Sequence, residues 1–83
     1  MYLHLGNEKI VKDDDIIGIF DLDTTTNSKN TKRFLNLAEK KGDLECVTDD
    51  LPKSFVVCTH GGKRKVYLSQ ISSVTLNKRS DKK

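Results

Sequence analysis

A two-glycine turn constrains the fold more than any other feature of this sequence. Gly61 and Gly62 separate two strand-like segments, residues 55–60 and 63–69, and this arrangement is typical of a β-hairpin with a two-residue turn. Because such a turn fixes the register, we predict the pairs Phe55 with Leu68, Val57 with Val66, Val56 with Tyr67, and Cys58 with Lys65. The first two pairs are expected to face the core. The other two mix apolar and basic groups and would face a neighbouring subunit or nucleic acid.

Three shorter patterns predict further strands. The Gly6-Asn7 turn indicates a hairpin of residues 2–5 and 8–12. Its predicted pairs are Leu3 with Ile10 and Tyr2 with Val11. Residues 16–22 are apolar on both faces, which is typical of a central strand or of a strand that a helix covers on one side. Residues 44–48 are predicted to form a short strand.

Residues 31–41 are predicted to form the main helix. The apolar residues near helical spacing are Phe34, Leu35, Leu37 and Ala38. Asn30 or Thr31 can cap the start of this helix, and Gly42 is a natural residue to end it. The tail, residues 71–79, fits either a strand or a short helix that begins at one of two serines. The predicted class is α+β, with a small, mainly antiparallel sheet of two hairpins and a central strand.

A chain of 83 residues forms one domain, here residues 1–79, and we expect the basic tail, residues 80–83, to be disordered. Such a domain buries only about 60–65% of its unfolded surface, so its thin core favours oligomerisation. Cys46 and Cys58 lie in apolar stretches of a chain in which we find no secretion signal. We therefore expect buried, reduced thiols and a cytoplasmic location, and we predict no membrane span.

Charge divides the chain into an acidic and a basic sector. Residues 1–51 hold eleven acidic against seven basic residues, a balance of −4, whereas residues 52–83 hold eight basic residues against one acid, a balance of +7. The densest basic group is Lys63-Arg64-Lys65, next to the two-glycine turn. A hairpin with a basic tip can contact DNA phosphates, and it can equally be a solvated tip that protects a sheet edge from aggregation.

Motifs for catalysis and metal binding are incomplete. Asp21 and Asp23 follow an apolar run, as in the first motif of haloacid-dehalogenase-type phosphatases, but the remaining chain cannot supply the later strands and acids of such an enzyme. Cys46, Cys58 and His60 lack the close ligand pairs of a structural zinc site. We therefore predict no catalytic residues, no metal and no cofactor.

Four sequence blocks resemble the extracellular matrix regulatory protein family. They are residues 2–6 (YLHLG), 15–22 (DIIGIFDL), 52–57 (PKSFVV) and 66–79 (VYLSQISSVTLNKR). The order and spacing of the blocks are similar to those of the family's B-type branch, and the resemblance covers nearly the whole of residues 1–79.

The resemblance implies a fold, an assembly and a partner. Proteins of the family's A-type branch are DNA-binding activators of biofilm matrix genes in Gram-positive bacteria, with a LytTR-like fold and ring-forming subunits. For this chain that implies an α+β subunit, self-assembly and DNA as partner, and it favours a short helix for residues 72–79. One departure is the A-type arginine-rich stretch, which residues 48–53 replace. There Asp49 and Asp50 stand where arginines are expected, and only Lys53 is basic.

Two functions remain open at this point. The first is a ring-forming, non-enzymatic DNA-binding regulator, with neither a membrane nor a small-molecule substrate as partner. Its predicted phosphate-binding residues are Lys53, Lys63, Arg64 and Lys65, with Arg33, Lys78 and Arg79 secondary. The second is a structural or adaptor oligomer that binds protein, in which Asp49 and Asp50 of one copy meet the basic hairpin tip of the next.

Overall fold

The computed structural model of the protein describes residues 2–6, 8–22, 29–48 and 51–79. The chain runs through strands and helices in the order β1 (Tyr2–Gly6), β2 (Lys9–Lys12), a 3-10 turn (Asp13–Asp15), β3 (Ile16–Asp21), α1 (Lys29–Lys40), β4 (Leu44–Cys46), β5 (Ser54–His60), β6 (Lys63–Ser69) and α2 (Ser73–Arg79). The predicted α+β class is confirmed. The predicted disordered tail, residues 80–83, lies outside the described residues.

The strands form two sheets. One contains β1 and β2, and the other contains four strands in the order β3-β5-β6-β4, in which β4 runs parallel to β6 and the other neighbours are antiparallel. The prediction of a central strand at residues 16–22 is therefore wrong, because β3 lies at one edge. β3 fits the other predicted alternative, a strand that a helix covers on one side, since Ile16 and Ile19 pack in the cluster that contains Leu76 of α2, whereas Ile17 and Phe20 are exposed. The similarity to the LytTR-type fold stays a prediction.

The register of the β5–β6 hairpin is confirmed in all four predicted pairs. Gly61 and Gly62 have φ angles of 60° and 80°, the left-handed backbone that a tight two-residue hairpin turn requires. The expected division into a core face and an exposed face is wrong for this hairpin. Val56 is fully buried, and Cys58 and Tyr67 are also buried, because a second layer covers their face.

Two layers enclose the four-stranded sheet. On one face α1 packs Ala38, with Phe34 and Leu35 beside it, against Phe55 and Val57 of β5. On the other face the β1–β2 hairpin and α2 bring a set of apolar side chains to the sheet, namely Leu3, Leu5, Val11 and Leu76. Strand β5 thus lies in the middle of the core, which explains why its first five residues are all buried.

The register predicted for the first hairpin is wrong by one residue. Leu3 lies opposite Val11, and His4 lies opposite Ile10, because Gly6 itself pairs with Lys9 and a bulge shifts the register between His4 and Gly6. The shift has a clear packing reason. Leu3, Leu5 and Val11 are all buried in this register, whereas Ile10 points outward and is 54% exposed.

The predicted capping residues are confirmed at some helix ends and not at others. The described part of α1 covers Lys29–Lys40 and includes Asn30 and Thr31, so these two predicted caps lie within the helix. It ends at Lys40, and Gly42 stops it as predicted: Gly42 has φ 77°, its N–H donates to the Glu39 carbonyl, and Asp43 N–H donates to the Ala38 carbonyl. The short helix is confirmed for the tail. Ser72, the residue before α2, caps this helix: its hydroxyl accepts a hydrogen bond from Thr75 N–H at 3.3 Å.

The strand after α1 is shorter than the predicted strand of residues 44–48, since β4 ends at Cys46. No helix within the described ranges has the length and apolar character needed to cross a membrane.

Candidate nucleic-acid interface

The three cations of the hairpin tip do not form a single cluster. Side chains alternate between the two faces along a strand, so Lys63 and Lys65 of β6 point to the face that β1 and β2 cover. Arg64 points to the opposite face, where α1 packs. The tip therefore contributes two positive charges to one surface and one to the other.

Lys63 and Lys65 line a cleft between the two hairpins, which we name the cationic cleft. Its volume is about 410 Å³, and Lys12 of β2 adds a third ammonium group from the other sheet. Tyr2 and Ile10 line the same cleft, and both are largely exposed. Cations thus stand on both walls of one cleft, beside an exposed aromatic ring.

One acidic group offsets part of this positive charge. The Asp15 carboxylate lies 3.1 Å from the Nδ1 atom of His60, and both residues line the cationic cleft. The His60 side chain is 76% exposed, so this pair lies at the rim and holds β5 close to the 3-10 turn. Among the described residues that line the cleft, three lysines outnumber one carboxylate, and this charge suits an anionic partner.

The Cys58 thiol, which lines the cleft, has low reactivity. Burial, with a smaller contribution from the Asp15 carboxylate, raises the pKa of Cys58 to about 11, and the opposing effect of Lys9 is smaller still. At neutral pH this thiol is therefore protonated and is a poor nucleophile. Cys46, predicted to be buried, is exposed instead, and its Sγ–H donates to the Thr48 carbonyl at 3.1 Å.

Lys9 is committed to contacts within the fold. Its Nζ atom lies 3.5 Å from the Glu45 carboxylate and 4.8 Å from the centre of the Tyr67 ring. These contacts join β2 to β4 and β6 across the two sheets. The Lys9 ammonium group is therefore engaged within the fold and does not line the cleft.

An apolar groove of about 390 Å³ lies on the other face of the sheet, between β3 and α1. Its lining includes Ile17, Phe20, Phe34 and Phe55, with Arg64 at its border. The rings of Phe20 and Phe55 stack with their centres 5.0 Å apart. Ile17 is 61% exposed and Phe20 is 41% exposed on an edge strand, which makes this groove a candidate surface for protein contact.

Arg33 belongs to a third surface, the outer face of α1. The residues that share this basic helix face are Lys29, Lys32, Arg33 and Lys40, together with Asn36 and Leu37. Its four cations repeat at helical spacing and point to solvent. Arg33 is thus grouped with its helical neighbours and not with the hairpin tip.

The remaining predicted site residues lie elsewhere. Lys53 precedes β5 at the end opposite the turn, and the seven residues of that strand span about 20 Å. Lys78 and Arg79 form the exposed end of α2. None of these three lines the cationic cleft or the apolar groove. Asp49 and Asp50 lie outside the described residues.

Sequence reasoning missed Tyr2 and Lys12 as members of the site. Both come from the first hairpin, more than fifty residues before the hairpin tip, and no local pattern links them to Lys63. The shifted register of β1 and β2 leaves both side chains on the outer side of that sheet. The pairing of two separate hairpins across a cleft is a tertiary property.

The structure describes one of the two carboxylates of the candidate phosphatase motif. Asp21 ends β3, and its sequence partner Asp23 lies outside the described residues. Within the ranges that the structure describes, no three His, Cys, Asp or Glu side chains come together as a metal site.

Two comparisons with known proteins identify the family of this chain. Residues 2–79 match the family described as RemA-like, extracellular matrix regulatory protein A-like. The chain is also 36% identical over 80 residues to extracellular matrix regulatory protein B of Bacillus subtilis (strain 168), and the match covers 96% of this chain and 90% of that protein. The chain therefore belongs to the RemA-like family of extracellular matrix regulatory proteins.

Proposed function

We propose that the protein is a non-enzymatic, DNA-binding regulator of the transcription of matrix genes. It acts in the cytoplasm as a ring-like homo-oligomer. The regulatory role follows from the family. DNA is proposed as the partner because the cationic cleft gathers Lys12, Lys63 and Lys65 from two different sheets. That convergence is the observation that carries the proposal.

The charge of the cleft suits phosphate groups. The three ammonium groups are long, mobile point charges, which bind phosphate without sequence selectivity. With three phosphate contacts per subunit, the logarithm of the affinity falls with a slope of about −2.7 against the logarithm of the salt concentration. A fourfold rise in salt then weakens binding by roughly 40-fold per subunit.

Self-assembly would multiply this weak contact. The apolar groove beside the unpaired edge of β3 exposes Ile17 and Phe20, and it is the surface we propose for contact between subunits. It lies on the face of the sheet opposite the cationic cleft, so assembly through it leaves the cleft open. Linked weak sites act at high effective concentration, and this gives a ring the affinity that one subunit lacks.

The test is an anisotropy titration of a labelled 30-base-pair duplex at 50 and 200 mM salt. We expect the intact oligomer to bind at the lower salt and to lose most of its affinity at the higher salt. The double variant Lys63→Glu/Lys65→Glu should bind at least a hundredfold more weakly. Lys53→Glu, with the same charge change about 20 Å away, should have a much smaller effect. No binding by the wild-type oligomer at 50 mM salt would refute DNA binding.

A second candidate function is an adaptor oligomer that binds protein, and the exposed apolar groove favours it. In that case the hairpin tip of one copy meets acidic residues of the next. The double variant Lys63→Glu/Lys65→Glu, which leaves Arg64 at the border of the apolar groove unchanged, separates the two candidates when its mass is measured by light scattering. A DNA-binding tip predicts an unchanged mass and lost DNA binding, whereas an adaptor predicts that the assembly dissociates.

A further inference from the structure

We propose that the cationic cleft holds an unstacked base, with Tyr2 as the stacking surface, so that the protein binds single-stranded or locally unpaired DNA more tightly than intact duplex. The inference rests on the proposed function, because it requires DNA as the partner. It goes beyond that function by assigning the structural state of the DNA and a base-contacting residue.

The size of the cleft is the first step. Its volume of about 410 Å³ falls in the range of cavities that hold one small molecule. A duplex offers only the edges of its bases, in grooves that are read by a helix or a ribbon of strands. A space between two hairpins with cations on both walls is better suited to one nucleotide, with the phosphates on either side of it bound by lysines.

The aromatic ring is the second step. Among the aromatic residues that the structure describes, Tyr2 is the most exposed, at 66%. The others are engaged in packing: Phe20 stacks on Phe55, Phe34 lies 6.3 Å from Phe55, and Tyr67 lies buried beneath the Lys9 ammonium group. Tyr2 therefore presents a free ring face to solvent beside the cleft.

The neighbours of Tyr2 are the third step. Ile10 is also exposed and lines the same cleft, together with Lys12, Lys63 and Lys65. An exposed ring and an apolar side chain beside several cations form the combination that binds single strands, since every base has a face that stacks and every nucleotide carries a phosphate. Lysines alone would explain an attraction to any DNA, but they would not explain an exposed ring at the same place.

The experiment compares a 20-nucleotide mixed-sequence single strand with its duplex, by anisotropy at 50 mM salt. We expect the wild-type protein to bind the single strand at least ten times more tightly. Tyr2→Ala should weaken single-strand binding about tenfold and change duplex binding less than twofold. Tyr2→Phe keeps the ring and should retain the single-strand affinity.

A spectroscopic readout accompanies this comparison. The chain has two tyrosines and no tryptophan. Stacking of a base on Tyr2 should therefore quench part of the intrinsic tyrosine fluorescence. Tyr2→Phe should bind the strand with much less quenching, since the remaining Tyr67 is buried.

Three results would overturn the inference. Equal binding of single strand and duplex would remove it while leaving the proposed function intact. A drop in assembly mass for Tyr2→Ala, seen by light scattering, would show that Tyr2 is a subunit contact. Absence of binding to either DNA would remove the proposed function, and this inference with it.

Discussion

The two layers on either side of the four-stranded sheet are attached in different ways. Helix α1 is held by apolar and aromatic packing, in which Phe34 and Phe20 flank the central ring of Phe55. The layer of β1, β2 and α2 adds hydrogen bonds to its apolar contacts. The Ser69 hydroxyl donates to the Leu5 carbonyl at 2.7 Å, and the Ser54 hydroxyl donates to the Ile71 carbonyl at 2.7 Å.

This difference bears on where polar chemistry can lie. The hydrogen bond from Ser69 to Leu5 joins β1 to the four-stranded sheet, and near the hairpin tip the same layer leaves an open space, where Lys12 and Lys65 line the cationic cleft. On the α1 side the equivalent space is mainly apolar, and Arg64 is the charged residue among the described residues that line it, beside the polar Asn30 and Thr31. The comparison predicts that one face is sensitive to loss of polar groups and the other to changes in ring packing.

The largest effect is expected from Ser69→Ala. The Ser69 hydroxyl is buried, donates to Leu5 and accepts from Ile71 N–H at 3.1 Å, so its removal leaves two backbone groups without this partner. We expect a loss of about 2–3 kcal/mol in the free energy of unfolding, measured by urea denaturation followed by circular dichroism. The total for a domain of this size is roughly 4–12 kcal/mol.

A matched control for that variant is Ser73→Ala. It removes the same atom from the first residue of α2, where the side chain is only partly buried. We expect a change within about 0.5 kcal/mol. Equal losses for the two variants would mean that the hydroxyl of Ser69 does not attach the hairpin layer.

A smaller effect is expected on the aromatic face, from Gly18→Ala. A Cβ atom at Gly18 would lie 2.7 Å from two ring carbons of Phe20, so the ring must move away from its stacked position on Phe55. We expect a loss of about 1 kcal/mol, the size of one ring–ring contact. In a Phe20→Ala background the same change should be neutral or stabilising, because alanine suits a strand better than glycine does. A loss that persists in that background would contradict the ring contact.

The smallest effect concerns the two thiols, whose alkylation rates report the exposed position of Cys46 and the buried position of Cys58. With iodoacetamide at pH 8, followed by mass spectrometry, the exposed Cys46 should be alkylated well before Cys58. Guanidinium chloride should make both react at similar rates.

The raised pKa of Cys58 also makes the stability of the fold depend on pH. The thiol of the unfolded chain ionises first, so the contribution of Cys58 to stability is fully present below about pH 9 and is lost as the pH rises towards about 11.

Local turn chemistry made part of this fold predictable. The two glycines after β5 fixed every predicted pair of the second hairpin, and Gly42 fixed the end of α1, because both depend on a few neighbouring residues. The short helix α2 was favoured by the family resemblance, and the serine that caps it was one of two that the sequence offered. These features need no knowledge of distant parts of the chain.

The errors arose where distant segments decide the structure. The bulge in the first hairpin brings three apolar residues to one buried face, and a turn rule cannot foresee the layer that they pack against. The edge position of β3 depends on which strands pair with β5. For the site, the sequence indicated Lys63 and Lys65 but not Lys12 or Tyr2, since their proximity depends on the packing of two sheets.

The exposed first half of β6 suggests how such a surface can change in evolution. Residues 63–65 are exposed, whereas Val66 and Tyr67 are anchored in the core. Inserting one uncharged residue between Lys65 and Val66 would turn Lys63 and Lys65 to the α1 side and Arg64 to the cleft side, with the interior left as it is. A single-codon length change can therefore move positive potential from one side of the molecule to the other, without the several compensating substitutions that a buried strand would demand.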